Sequence, residues 1–191
     1  MFFDWLRMYQ DHAQTLPVIA DQLFLVMDTQ TGEYLHTKQS AFKHGGSFST
    51  SITIRISGSR ITMEGNPSRF GRADNLFGFE TIDECVEVYN RILKSYGLPE
   101  FTKGKKIQFL AGEDGKKATR ATDGAVIQEL HVTTNISVGQ GNADDFIKAI
   151  STLPYRQMIP RLHTNGKTAD WMTKSLKGSD LIYPSVYNKA H

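Results

Sequence analysis

The sequence predicts an α+β fold built on a mainly antiparallel sheet flanked by helices. Residues 48–64 alternate apolar and polar side chains on both sides of Gly58-Ser59, a pattern typical of a β-hairpin. Residues 81–97 place apolar side chains at helical spacing after Thr81 and Glu84, which form a capping box that satisfies free N–H groups at a helix start. Strands and helices mingle along the chain with much hairpin β, which favours the α+β class.

Shorter patterns predict the other elements, and together with the hairpin and the helix we expect them to form one domain over residues 1–191. In chain order they are strands at 2–9, 22–27 and 34–37, a basic hairpin over 101–120, a central strand at 126–134, a helix at 143–153 capped by Asn142, and irregular chain after Pro154 with a turn at Asn165-Gly166.

Composition excludes several classes of protein. The single cysteine, Cys85, allows no disulfide framework and suits a reducing cytoplasm. No stretch approaches the ~20 apolar residues that span a bilayer, so we expect a soluble intracellular protein without a membrane partner. The net charge of +2 does not by itself indicate nucleic-acid binding. A basic cluster in the middle of the chain fits either a phosphate backbone or a solvated hairpin: Lys103, Lys105, Lys106, Lys116, Lys117 and Arg120.

Near the end of the sequence, Tyr183 and Tyr187 lie four residues apart and Lys189 follows two residues later. A tyrosine hydroxyl can attack a phosphodiester and form a covalent phosphotyrosine, but its ordinary pKa of ~10 means that it needs help. A nearby ammonium favours the phenolate. In a strand Tyr187 and Lys189 share a face, whereas in a helix the two tyrosines do. Aromatic packing is the alternative to catalysis.

Glu129, His131 and Thr133 alternate along one face of the predicted strand at 126–134. A carboxylate and an imidazole on one face can hold Mg²⁺ or Mn²⁺, which polarises a phosphate as a Lewis acid. The alternative is an amphipathic strand with its polar face in water.

The loop at 65–78, with sequence GNPSRFGRADNLFG, lies between the predicted hairpin and the predicted helix. Its arginines can bind phosphates and its phenylalanines can stack on an unpaired base, or its aromatic residues can anchor a packed connection. The candidate DNA-binding residues of this loop and of the basic hairpin are Arg69, Arg72, Asn75, Lys105 and Lys106.

Taken together, the chain resembles the replication initiation proteins of filamentous phages and related plasmids, the gene II/X family. The resemblance is densest in the loop at 65–78 and covers nearly the whole chain. The matching segments are DWL at 4–6, YQDH at 9–12, GSFSTS at 46–51, the loop itself, HVTTN at 131–135 and VYNK at 186–189. That family is similar to the HUH-type single-strand endonucleases, which implies an HUH-endonuclease-like sheet with metal ligands on a central strand.

The resemblance also assigns roles to residues. Tyr187 matches the family's nucleophile and Lys189 its lysine, while Tyr183 resembles the first tyrosine of two-tyrosine initiators. His131 matches the position of a metal ligand, with Glu129 as a second candidate. Thr133 stands where a second histidine would be. Family members usually continue past this point, which makes the chain a candidate N-terminal fragment of a longer initiator.

These observations predict a rolling-circle DNA replication initiator: a metal-dependent, site-specific endonuclease and strand transferase with a 5′-phosphotyrosine intermediate. Its expected partners are single-stranded or hairpin origin DNA and a host helicase and polymerase. One alternative is a non-catalytic single-stranded DNA-binding or copy-control module of the same fold. Another is a metal-dependent hydrolase that uses activated water and leaves no covalent adduct.

Overall fold

The computed structural model describes residues 1–110, 119–174 and 182–189. It divides into two compact units, residues 1–135 and 136–191, which we call unit 1 and unit 2 and describe separately. Helices and mostly antiparallel strands make the chain α+β, as the sequence predicts. The single domain over 1–191 stays a prediction. No helix within the described residues is long and apolar enough to cross a membrane.

Unit 1 contains nine of the described strands and one helix: β1 (Phe2–Asp11), β2 (Leu23–Met27), β3 (Tyr34–Gln39), β4 (Phe42–Gly45), β5 (Ser51–Ser57), β6 (Arg60–Gly65), α1 (Ile82–Ser95), β7 (Ile107–Leu110), β8 (Thr119–Thr122) and β9 (Val126–Thr133).

Five strands of unit 1 form an antiparallel sheet in the order β4-β5-β6-β1-β9. The predicted hairpin is confirmed as β5 and β6, and Gly58 has a positive φ of 62° in its turn. The hairpins β2-β3 and β7-β8 are also present, and the second overlaps the basic region predicted over 101–120. Lys116 and Lys117 lie outside the described residues.

One face of the five-stranded sheet is apolar and packs against α1, because alternate residues of each strand point to the same side. The capping box at Thr81 and Glu84 is confirmed. From α1 the buried Tyr89 donates a hydrogen bond of 2.6 Å to the Leu6 carbonyl, which fixes the helix on β1. The buried side chains of this core include Leu6, Met8, Ile52, Ile54, Ile61, Met63, Cys85 and Leu93.

The position of β9 corrects the sequence prediction. The strand is present, but among the described strands it pairs with β1 alone and so lies at the edge of the sheet, not at its centre. The hydrophobic pattern of 126–134 shows that a strand forms there. It does not encode how many neighbours that strand has.

Unit 2 contains α2 (Ala143–Ile150), β10 (Ile159–Leu162), β11 (Thr168–Met172) and β12 (Ser185–Tyr187). The three strands form an antiparallel sheet in the order β10-β11-β12, so the expectation of irregular chain after Pro154 is wrong. The turn at Asn165-Gly166 is confirmed: it joins β10 to β11, and Gly166 has a φ of 65°.

The core of unit 2 is small and lies on one face of its sheet. Ile147 of α2 packs with Ala169 and Trp171 of β11, and Val186 of β12 joins them. The predicted second helix is therefore confirmed, although it ends at Ile150. Asn142 does occupy the N-cap position, as predicted, but its side-chain amide donates to the Val138 carbonyl at 3.0 Å and makes no capping hydrogen bond.

Candidate functional site

Tyr187 lies on a strand, which decides between the two arrangements that the sequence leaves open. In β12, Tyr187 pairs with Thr168 and Ser185 pairs with Asp170. The Tyr187 side chain is 49% exposed, whereas Val186 beside it packs into the unit 2 core. The strand ends at Tyr187, so Lys189 follows just outside it. A phenol held this way is accessible to a large substrate while its backbone is fixed.

The residue that follows Tyr187 in the chain is also anchored. The Asn188 backbone N–H donates to the Lys167 carbonyl at 3.1 Å. Its side-chain amide donates to Asp144 Oδ1, in the first turn of α2, at 3.0 Å. Tyr187 therefore sits between a core residue and an anchored one, which restricts its backbone.

Tyr183 has a different environment. Its hydroxyl donates a hydrogen bond of 2.7 Å to Oδ2 of Asp170, a carboxylate that is only 2% exposed. That hydrogen bond, together with burial, raises the pKa of the Tyr183 phenol above its ordinary value. Forming a phenolate beside this carboxylate is therefore unfavourable. The role of Tyr183 as a second nucleophile stays a prediction.

The Asp170 carboxylate also accepts hydrogen bonds from two further side chains, which the sequence analysis missed. Arg161 Nη2 and His163 Nε2 each lie 2.7 Å from its Oδ2. Burial alone would raise the pKa of the Asp170 carboxyl, but its hydrogen bonds outweigh burial and hold that pKa well below its usual range. The signal in the sequence was the spacing of Arg161, His163 and Asp170 around the Asn165-Gly166 turn, which places them across two paired strands.

Glu129 and His131 are neighbours on one face of β9. His131 Nε2 lies 2.9 Å from Glu129 Oε1, and the His131 and Glu129 side chains are about half exposed, at 55% and 49% respectively. In the register His131 is opposite Trp5 and Glu129 is opposite Arg7. The Trp5 and His131 rings stack with centroids 6.1 Å apart. The structure thus brings the two predicted ligands together.

The pair supplies part of a metal site. Mg²⁺ keeps several waters and commonly takes one or two carboxylates together with substrate phosphates, so one carboxylate and one imidazole fit as the protein's share. Within the described residues no group of three or more His, Cys, Asp or Glu side chains could hold a metal ion. A site formed here would therefore depend on ligands from substrate and water.

The loop at 65–78 is anchored at its first half and exposed in its second. Ser68 is buried, donates to the Phe3 carbonyl and accepts from the Phe79 N–H at 2.9 Å. Phe77 is 72% exposed, and Arg72 forms a long ion pair of 3.5 Å with Asp74. The first half is therefore the packed connection that the sequence allows, whereas DNA contacts by the exposed half stay a prediction.

Arg69 borders a cleft of about 270 Å³ in unit 1. The buried Nε of Arg69 and the buried Oδ1 of Asp4 have no hydrogen-bond partner among the described residues. Besides Asp4 and Arg69, the cleft is lined by Trp5, Ser49, Thr50, Ser51 and Asn66. Asn75, in the exposed half of the loop, has interactions of its own and does not line this cleft.

The basic region around β7 holds two exposed lysines in fixed backbone positions. The backbone N–H groups of Lys105 and Lys106 both donate to Asp123 Oδ1, at 2.7 and 2.9 Å, which leaves the lysine side chains to solvent. Lys103, by contrast, pairs with Asp83 at 2.7 Å. Lys105 and Lys106 are thus the better-placed of these lysines for an external anion.

Comparison with known proteins gives one informative match. Over 141 residues the chain is 52% identical to a replication-associated protein of Escherichia phage If1. The match covers 73% of this chain but 43% of the phage protein, so the chain spans less than half of that relative's length. No protein-family model matches the chain. No solved structure matches it.

Proposed function

We propose, on the premise of this similarity to a phage replication-associated protein, that the chain is a phage replication initiator that nicks DNA through Tyr187. The observation that carries the proposal is the placement of Tyr187: an exposed phenol on a strand whose flanking residues are both fixed. The proposed enzyme is a single-strand endonuclease and strand transferase with an HUH-endonuclease-like arrangement.

In the proposed reaction the Tyr187 oxygen attacks a phosphodiester and the 3′ oxygen leaves. The 5′ phosphate stays on the protein as a phosphotyrosine. The Lys189 ammonium, two residues along, offsets negative charge on the phenolate or the phosphate. A host polymerase with a helicase would extend the free 3′ end, and a later attack by a new hydroxyl would rejoin the strand.

Glu129 and His131 are the residues that would hold Mg²⁺ or Mn²⁺, and the metal would supply Lewis-acid polarisation of a phosphate oxygen. Arg69, Arg72, Asn75, Lys105 and Lys106 are the proposed contacts to single-stranded or hairpin origin DNA. Phosphate contacts of this kind position a strand, and exposed aromatic rings such as that of Phe77 can stack on its bases.

The test is a denaturing gel of the protein with labelled single-stranded DNA in Mn²⁺. The DNA tiles the If1 replication origin and also includes a randomised library, so that an unknown origin is sampled. We expect a covalent adduct that Tyr187→Phe abolishes. Tyr155→Phe is the matched control, because Tyr155 is also in unit 2 and 41% exposed.

Each other outcome points to an alternative. DNA binding without an adduct would contradict the nickase and favour the binding module. Cleavage without an adduct would favour the hydrolase that uses activated water. An adduct that survives Tyr187→Phe but not Tyr183→Phe would move the nucleophile to Tyr183.

A further inference from the structure

The face of the unit 2 sheet that carries Tyr187 also carries other polar side chains. Residues directly opposite each other in an antiparallel sheet share a face. Tyr187 is opposite Thr168, and the His163 N–H donates to the Thr168 carbonyl at 2.9 Å from the other side. Tyr187, Thr168 and His163 therefore form one row across the sheet, on the face opposite the apolar core of Ala169 and Trp171.

His163 is held by Asp170 in one orientation. Nε2 faces the Asp170 carboxylate at 2.7 Å, so the proton of a neutral imidazole lies on Nε2 and leaves Nδ1 as the acceptor. Asp170 is only 2% exposed and its lowered pKa keeps it charged at neutral pH. The charged and titratable groups that the described contacts and register place on this face are Asp170, Arg161, Tyr183, His163 and Tyr187 itself, and Lys189 follows two residues after Tyr187.

We propose that His163 is the general base that takes the proton of Tyr187, and that Asp170 is the positioning residue for its imidazole. This inference rests on the proposed function of Tyr187. As the phenol oxygen bonds to phosphorus, its proton passes to His163 Nδ1. The P–O3′ bond breaks, and the 3′ oxygen takes a proton from water. In the rejoining step the imidazolium returns its proton to the departing tyrosine oxygen.

Three features favour His163 over the other groups on this face. Its side chain is 38% exposed, so the ring is accessible to substrate on the same face as Tyr187, two strands away. Arg161 stays protonated at all relevant pH values and cannot act as a base. Tyr183 already donates to Asp170, so its hydroxyl supports the carboxylate and does not compete for the Tyr187 proton. The proposed order of groups in space, the Asp170 carboxylate, the His163 imidazole and the Tyr187 hydroxyl, is the order found in hydrolase catalytic triads.

The test measures single-turnover adduct formation for the full chain with His163→Gln and His163→Ala. General-base catalysis contributes about 10²- to 10⁴-fold, so we expect a loss of at least about 100-fold. With the proton acceptor gone, the rate of both variants should also depend less on pH than the rate of the unchanged protein. Added imidazole should restore activity to His163→Ala. His36→Asn is the control, since His36 is exposed in β3.

The outcomes separate this inference from the proposed function. If the unchanged protein forms no adduct, both fail. If it forms the adduct and His163→Gln reacts at the same rate with the same pH profile, only the role of His163 is overturned. If His163→Ala merely unfolded the protein, its unfolding curve would shift and imidazole would not restore activity. A variant that is slow, keeps the unfolding curve of the unchanged protein and is not rescued by imidazole also overturns the role of His163.

Discussion

The side-chain amide of Asn188 donates a hydrogen bond of 3.0 Å to the carboxylate of Asp144, which joins the end of the tyrosine strand to the first turn of α2. Asp144 lies where the helix dipole favours a negative charge, so it is a suitable acceptor. The contact spans 44 residues of sequence. It limits how far Tyr187 can move relative to the unit 2 core.

Asn188→Ala should slow adduct formation by about tenfold, because a nucleophile that is displaced by a fraction of an ångström loses much of the benefit of orientation. Stability should fall by only about 1 kcal/mol, the usual value of one hydrogen bond. The measurements are single-turnover rates and urea unfolding. Asn142→Ala removes another amide hydrogen bond next to α2 and should leave the rate unchanged. Equal rates for the two variants would contradict the anchoring role of Asn188.

Tyr183→Phe should lower the free energy of unfolding of unit 2 by about 1 to 2 kcal/mol and leave adduct formation in place. The reason is that the variant removes one of the donors to the buried Asp170, a hydrogen bond to a charged group. Trp171 fluorescence reports on unit 2 if Trp5→Phe removes the other tryptophan. Loss of strand rejoining with no loss of stability would instead identify Tyr183 as a second nucleophile.

Asp170→Asn should destabilise unit 2 at neutral pH by about 2 kcal/mol, since it removes the charged partner of Arg161 and His163. The native pKa of Asp170 is lowered, so its contribution is fully present above the unfolded value of about 3.9 and is lost as pH falls below it. The stability difference from the unchanged protein should therefore shrink between pH 5 and 3.

Urea midpoints at pH 7, 5 and 3, read from Trp171 fluorescence, measure this difference. Asp21→Asn is the control because Asp21 is an exposed aspartate of unit 1. A stability difference that stays constant over this pH range would mean that Asp170 acts by shape and not by charge.

Local signals in the sequence were enough to predict the main elements of unit 1. The hairpin at Gly58-Ser59 and the capping box at Thr81 depend on residues within a few positions of each other, so both appear as expected. The location of β9 depends on which strands pair over long separations. A periodicity of two does not contain that information.

Unit 2 was harder to predict for a physical reason. Its strands have four, five and three residues, too short for alternation to be recognised. The Asp170 cluster joins side chains from β10, from β11 and from the chain just before β12, so its members look unrelated until the register is known. Tyr187 and Lys189 were singled out by residue type and by the resemblance to the gene II/X family, and their catalytic roles stay a prediction.

The double variant Lys105→Ala, Lys106→Ala should weaken single-stranded DNA binding and reduce its salt dependence. Each phosphate contact to a single strand contributes ~0.7 to the slope of log K against log salt, so the slope should fall by about 1.4. Fluorescence anisotropy between about 50 and 200 mM salt measures it. The control replaces Lys38 and Lys94, which are also exposed. An equal change of slope in the two double variants would indicate only nonspecific attraction between surface lysines and the DNA.

Glu129→Gln should raise the Mn²⁺ concentration needed for half-maximal adduct formation by about tenfold or more. The amide keeps the shape of the side chain but removes its charge, and divalent ions such as Mg²⁺ and Mn²⁺ prefer charged oxygen ligands. Titration of Mn²⁺ after EDTA treatment measures this, and Mn²⁺ binding by calorimetry gives a readout that does not depend on cleavage. Glu87→Gln on α1 is the control, as Glu87 is exposed. Adduct formation that persists in EDTA, or identical titrations for the two variants, would remove Glu129 and its partner His131 from the metal site.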